Sequence, residues 1–88
     1  MTKVQLGQLV MTRNAATSLK ALDVMKALSR FARGDWGDVC KEDWEANDEA
    51  LEHGGRLLGS YHDRNGTKFW IITEADRSVT TVLLPEDY

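Results

Sequence analysis

An α+β domain in the order β-α-α-α-β-β-β, with an antiparallel sheet packed against helices, follows from three features of this 88-residue chain. Apolar residues recur at helical spacing between Asn14 and Glu52, in stretches bounded by Gly34 and Gly54. Beyond Gly55 the apolar period shortens towards two. Two polar clusters, Asp63-Arg64-Asn65-Gly66 and Ala75-Asp76-Arg77-Ser78, then divide that half into a three-stranded meander.

The first element is a strand over Val4–Met11, in which Gly7 marks a bend or bulge. Asn14 is the expected cap of a short helix, roughly Ala15–Leu22, and Asp23 the expected cap of the next, Val24–Arg33, which Gly34 ends. Two helices are needed because the apolar phase breaks: Val24, Leu28 and Phe31 share one face, whereas Leu19 and Leu22 fall on the other.

Asp38 is the expected cap of the third helix, which runs to about Glu52 with Gly54 as a left-handed stop. Cys40, Trp44, Asn47 and Leu51 form its core face. Leu57–Tyr61, Lys68–Thr73 and Val79–Leu84 are the three later strands. Lys68–Thr73 is apolar on both faces and reads as the central one.

The length fits a single domain spanning residues 1–88, with about 5,000 Å² of surface when folded. The net charge of −3 conceals a sharp partition. Residues 1–33 carry six bases and one acid, Asp23; residues 34–53 carry eight acids and one base, Lys41. Segment charges are therefore +5 and −7, and the remaining residues contribute −1. Glu42, Glu45, Glu49 and Glu52 stack along one face of the third helix, where like charges three and four apart repel. Either the basic edge of the second helix (Lys26, Arg30, Arg33) packs beside them, or an external partner with a basic surface does.

No apolar run approaches membrane-spanning length, and no charged and apolar leader opens the chain. With one cysteine, a cytoplasmic location is expected. Cys40 reads as an inward-facing small hydrophobe. Neither His53 nor His62 has a ligand at recognised metal spacing, and Asp63-x-Asn65-Gly66 holds only part of a calcium loop, so no metal and no cofactor are expected.

Four stretches carry a resemblance: Leu6-Gly7-Gln8-Leu9-Val10, Gly34-Asp35-Trp36-Gly37-Asp38-Val39, the run from Trp70 to Ser78, and the run from Thr80 to Tyr88. Together they are similar to a family of small proteins carried on bacterial plasmids and genomic islands. Its members are called plasmid-related protein or type I restriction endonuclease subunit M. The resemblance implies a bacterial mobile-element setting and brings no established activity. Where the family pattern places a His ahead of the Gly34–Gly37 segment, this chain has Phe31. The methyltransferase label fails on physical grounds, since the chain has neither βαβ alternation nor a Gly-rich first turn.

Three candidate sites follow. The first is the acidic helix with its preceding loop: Asp35, Trp36, Asp38, Glu42, Glu45, Glu49 and Glu52, where Trp36 either plugs the core or stands at a binding surface. The second is the polar turn holding Glu74, Asp76 and Arg77, either a ligand site or an Asx-type turn whose arginine pairs with a nearby acid. The third is the basic edge Lys26, Arg30 and Arg33, which offers a few phosphate contacts to a nucleic acid. With no nucleophile motif and no phosphate-cradling loop, the expected role is non-catalytic: a protein-interaction or regulatory protein, monomeric or dimeric. Its acidic helix would antagonise a nucleic-acid-directed defence system.

Overall fold

A computed structural model describes residues 2–88. The elements are β1 (Gln8–Met11), α1 (Arg13–Ser18), α2 (Ala21–Ala32), α3 (Lys41–His53), β2 (Leu57–His62), β3 (Lys68–Thr73) and β4 (Val79–Leu83). A 3₁₀ turn at Pro85–Asp87 follows. They form an α+β fold with one four-stranded sheet in the order β1-β4-β3-β2.

The meander β2-β3-β4 is antiparallel, with β3 as an interior strand. Its first turn is built by Asp63, whose Oδ1 accepts the N–H groups of Asn65 (2.9 Å) and Thr67 (2.9 Å), while Gly66 takes a φ of +82°. β1 corrects the antiparallel expectation, because it pairs with β4 in parallel, Gln8 opposite Val79 and Met11 opposite Val82. The chain after each strand explains the direction. Asp87, just past β4, accepts hydrogen bonds from Thr12 Oγ1 (2.6 Å) and Asn14 Nδ2 (2.7 Å), just past β1. Those bonds hold the C-terminal ends of the two strands at one end of the sheet, and the sheet is therefore mixed.

β1 is also shorter than the sequence implies. Gly7 has a φ of +64° and packs against the Arg77 and Ser78 carbonyls so closely that a Cβ would clash. The chain bends there, and the residues before it leave the sheet. Val4 is buried beneath the end of α2, where the Lys3 and Val4 N–H groups both donate to the Ala32 carbonyl.

α1 and α2 are separate helices, as the apolar phase requires. Leu19 and Lys20 are extended between them (φ −101°, ψ 150° and φ −79°, ψ 129°), burying Leu19 while Leu22 stays exposed. The caps lie elsewhere than expected. Thr12 rather than Asn14 caps α1, accepting from the Ala15 N–H (3.1 Å). Lys20 precedes α2 without a side-chain cap, and Asp23 instead binds Arg64 across the hairpin. Cys40 rather than Asp38 is the residue before α3. Gly54 ends that helix at a positive φ of 91°, but its ψ of 145° is extended rather than left-handed helical.

The core lies between the helices and the sheet face carrying Leu57, Tyr61, Phe69, Ile71 and Val82. Val24, Ala27 and Phe31 of α2 fill it from the other side. Burial of this many large apolar groups is the main favourable term in the fold. Thr73 and Thr80 are both fully buried. Because the Thr80 hydroxyl donates to the Leu6 carbonyl (2.6 Å), it accepts from Thr73 (2.6 Å), which leaves both groups satisfied. On the opposite face, Ile72 and Leu83 are buried, and Tyr88 lies edge-on to Trp70 with ring centroids 5.9 Å apart.

Candidate functional site

α3 carries the acidic residues on the face turned away from the sheet. Trp44 and Leu51 pack half-buried against the core and Asn47 is buried, which fixes the helix rotation. At 100° per residue, Glu42, Glu45, Glu49 and Glu52 then share the opposite face, and all four are exposed. Among the described residues none of them has a basic group within 4.0 Å. The basic edge of α2 does not reach them, so internal pairing with that edge is absent from the acidic face.

The loop before α3 has a different job. Trp36 is completely buried rather than presented at the surface. Gly37, at a φ of +78°, lets the backbone press onto β2, so that the Ser60 N–H donates to the Trp36 carbonyl (3.0 Å) and the Asp38 N–H to the Ser60 carbonyl (2.7 Å). The indole meets Phe31 edge-on at 5.3 Å, and its Nε1–H donates to Asp48 of α3 (2.9 Å). Trp36 therefore ties α2, α3 and the sheet together and takes no part in an exposed site.

Asp35 is also consumed internally. Its carboxylate accepts from Arg30 Nε (2.9 Å), from Arg30 Nη2 (3.3 Å) and from the Gly37 N–H (3.0 Å). The Arg30 guanidinium holds the Asp35 carboxyl below its ordinary value, against the opposing effect of desolvation. Arg30 also lies over the Tyr61 ring, 5.1 Å from its centroid, and the Tyr61 hydroxyl donates to the Asp35 carbonyl (2.7 Å). Burial pushes the Tyr61 phenol above its ordinary range. Asp38 is exposed, with its Oδ2 3.7 Å from His62 Nδ1. Beside them the buried Ser60 Oγ has no hydrogen-bond partner among the described residues.

The turn at residues 74–78 closes on itself. Asp76 Oδ1 accepts from the Ser78 N–H (3.0 Å) and hydroxyl (2.6 Å), as an Asx-type turn does. Among the described residues Arg77 pairs with no acid. Its guanidinium donates to the carbonyls of Gly55 (2.6 Å), Ala50 (3.0 Å), Glu74 (3.1 Å) and Ala75 (3.2 Å). Ala50 and Gly55 flank the end of α3, so Arg77 caps that helix with a positive charge where the dipole favours one. Glu74 stands 3.8 Å from Arg56.

The basic edge of α2 is partly spent as well. Lys26, Arg30 and Arg33 do lie along one side of the helix, but Arg30 is held by Asp35, and Arg33 donates to Ser29 (3.2 Å). Cys40 is exposed rather than core-facing, because it sits in extended backbone before α3, where helical spacing no longer applies. The Asp43 amide favours its thiolate. The Asp43 and Glu42 side chains and desolvation outweigh that effect and hold the thiol above its ordinary value.

Three sets of long-range hydrogen bonds escape sequence reasoning. Asn47 clasps the backbone of Leu58, Asp23 chelates Arg64, and Asp87 binds Thr12 and Asn14. Only Asn47 leaves a trace, as the one polar residue on an otherwise apolar helical face. Among the described residues no group of three His, Cys, Asp or Glu side chains converges as a metal site, and no helix is long and apolar enough to cross a membrane. Comparison with family models, with curated proteins and with solved structures finds no match to the chain.

Proposed function

We propose that this protein is a non-catalytic interaction module that presents the acidic face of α3 to a basic surface on a partner protein. The observation that carries the reading is the isolation of Glu42, Glu45, Glu49 and Glu52. They are exposed, aligned and without a basic partner among the described residues, in a chain whose first 33 residues hold six bases. Aligned carboxylates raise the local negative potential and steer a cationic partner, at a cost in self-repulsion. In the mobile-element setting that the resemblance implies, the partner is a nucleic-acid-directed defence enzyme, whose cationic groove the helix occupies in place of a phosphate backbone. Asp38 adds a further exposed carboxylate two residues before Cys40; Asp35 holds the preceding loop through the Gly37 N–H, and Trp36 braces α3 through Asp48.

The test is affinity capture from bacterial lysate with the wild type and with a Glu42→Lys, Glu45→Lys, Glu49→Lys variant, both first shown by circular dichroism to be folded. Capture of a basic protein by the wild type, weakened by salt and lost with the variant, supports the reading. Identical captures by the two forms contradict it.

A further inference from the structure

We propose that the open edge of β1 is a docking site for an extended, acidic peptide segment of a partner, which joins the sheet as a fifth strand. The sheet has two edges, and they are treated differently. At the β2 edge, Asn47 makes both backbone hydrogen bonds of Leu58, and the Trp36–Asp38 backbone bridges Ser60. That edge is closed. At the β1 edge, the Gln8 N–H donates to Ser78 and the Thr12 N–H to Val82, so the even-numbered residues face β4. Alternation along the strand turns the N–H and C=O groups of Leu9 and Met11 outward.

Exposed edges are ordinarily blunted by lysine, proline or a covering loop. β1 reads Gln8-Leu9-Val10-Met11, with no charge and no proline, and Leu9, Val10 and Met11 are 51%, 38% and 39% exposed. Alongside the strand runs a groove of about 370 Å³ whose apolar lining is Leu6, Leu9, Leu28 and Ala32. An added strand places alternate side chains in such a groove while its backbone pairs with the edge.

Charge selects the occupant. Arg33 lines the groove, and Arg13 opens α1 two residues after β1 ends; neither has a carboxylate within 4.0 Å among the described residues. A second copy paired through β1 brings two segments of charge +5 together, which is repulsive. The acidic α3 is clasped to β2, at the far edge of the sheet. A peptide alternating apolar and acidic residues satisfies the edge, the groove and the arginines together.

The experiment titrates the ¹⁵N-labelled full chain with a short blocked peptide of alternating valine and glutamate, followed by amide shifts and hydrogen exchange. Saturable shifts centred on Leu9 and Met11 are expected, with a dissociation constant on the order of 1 mM or below. Binding should fall about tenfold or more when alternate peptide nitrogens are methylated, or when lysine replaces glutamate. Leu9→Pro removes an outward N–H that β4 does not use, so it should abolish binding while the fold survives. Arg33→Glu, an exposed change, should weaken binding and flatten its salt dependence. Absence of saturable shifts, or shifts centred elsewhere, overturns the proposal. Leu9 and Met11 amides already protected in the free protein, with self-association in sedimentation, overturn it in favour of a second copy.

Discussion

The carboxamide of Asn47 replaces a neighbouring strand at Leu58: its Nδ2 donates to the Leu58 carbonyl (2.8 Å) and its Oδ1 accepts the Leu58 N–H (3.1 Å). One side chain thus seals a sheet edge, sets the rotation of α3 and decides which helical face meets solvent. Asn47→Ala should cost about 2–4 kcal/mol, because both backbone groups of Leu58 lose their partner. Urea denaturation with an unchanged m-value measures this, and a loss below about 0.5 kcal/mol contradicts the assignment.

Trp36 fills the junction of α2, α3 and β2. Trp36→Ala should cost about 3–5 kcal/mol, the range for large aromatic truncation in a core. If the indole were instead a surface anchor, the variant would keep its stability. Thermal unfolding separates the two.

Arg77 caps α3 through the carbonyls of Ala50 and Gly55. Arg77→Ala should destabilise by about 2 kcal/mol and speed amide exchange at Gly54, whose N–H bonds Ala50 in the same terminal turn. Arg77→Lys should restore only part of the loss, since a lysine has one donor centre where the fork reaches four carbonyls. Unaltered exchange at Gly54 would contradict the capping role.

Acid and base should each unfold the protein through identified groups. Hydrogen bonds lower the carboxyls of Asp23 (from Arg64), Asp35 (from Arg30), Asp76 (from Ser78) and Asp87 (from Thr12 and Asn14) below 3.8. Groups depressed in this way contribute stability that is complete above their unfolded value and is lost as pH falls through the folded one. Stability should therefore be level near neutrality and decline below about pH 4, and Asp35→Asn should make that decline shallower. Tyr61 acts with the opposite sign. Its phenol is raised by burial, so its contribution is complete below 10.0 and is lost as pH rises beyond that. Urea midpoints across the pH range check both limbs.

The element order, the break between α1 and α2, the hairpin at Asp63–Gly66 and the inward face of Asn47 were legible because each depends on neighbouring residues. Periodicity reports which side is apolar, and turn chemistry reports where the chain reverses. The parallel pairing of β1 was not legible, since it is set by Asp87 meeting Thr12 and Asn14 more than seventy positions away. Asp23 looks like a helix cap and serves Arg64 instead, again through a distant contact. Cys40 faces solvent for a local reason, since the helical period does not extend past the start of α3, and of the two placements the sequence leaves open for Trp36 the structure takes the buried one. In the candidate site, the glutamate row was readable, but its lack of partners among the described residues required the fold.

The central claim is that the acidic face of α3 has no basic partner among the described residues and is kept despite its repulsion. The most direct test is the melting temperature, at low salt, of a Glu45→Gln, Glu49→Gln, Glu52→Gln variant. Glu52 lies in the last turn, where the helix dipole also disfavours negative charge, whereas Glu42, left unchanged, lies in the first turn, where it is favoured. The predicted result is a rise of about 2–5 °C that shrinks as salt is added, because repulsion is relieved and no ion pair is lost. A fall in melting temperature would mean that the glutamates pair within the chain, and would contradict the account.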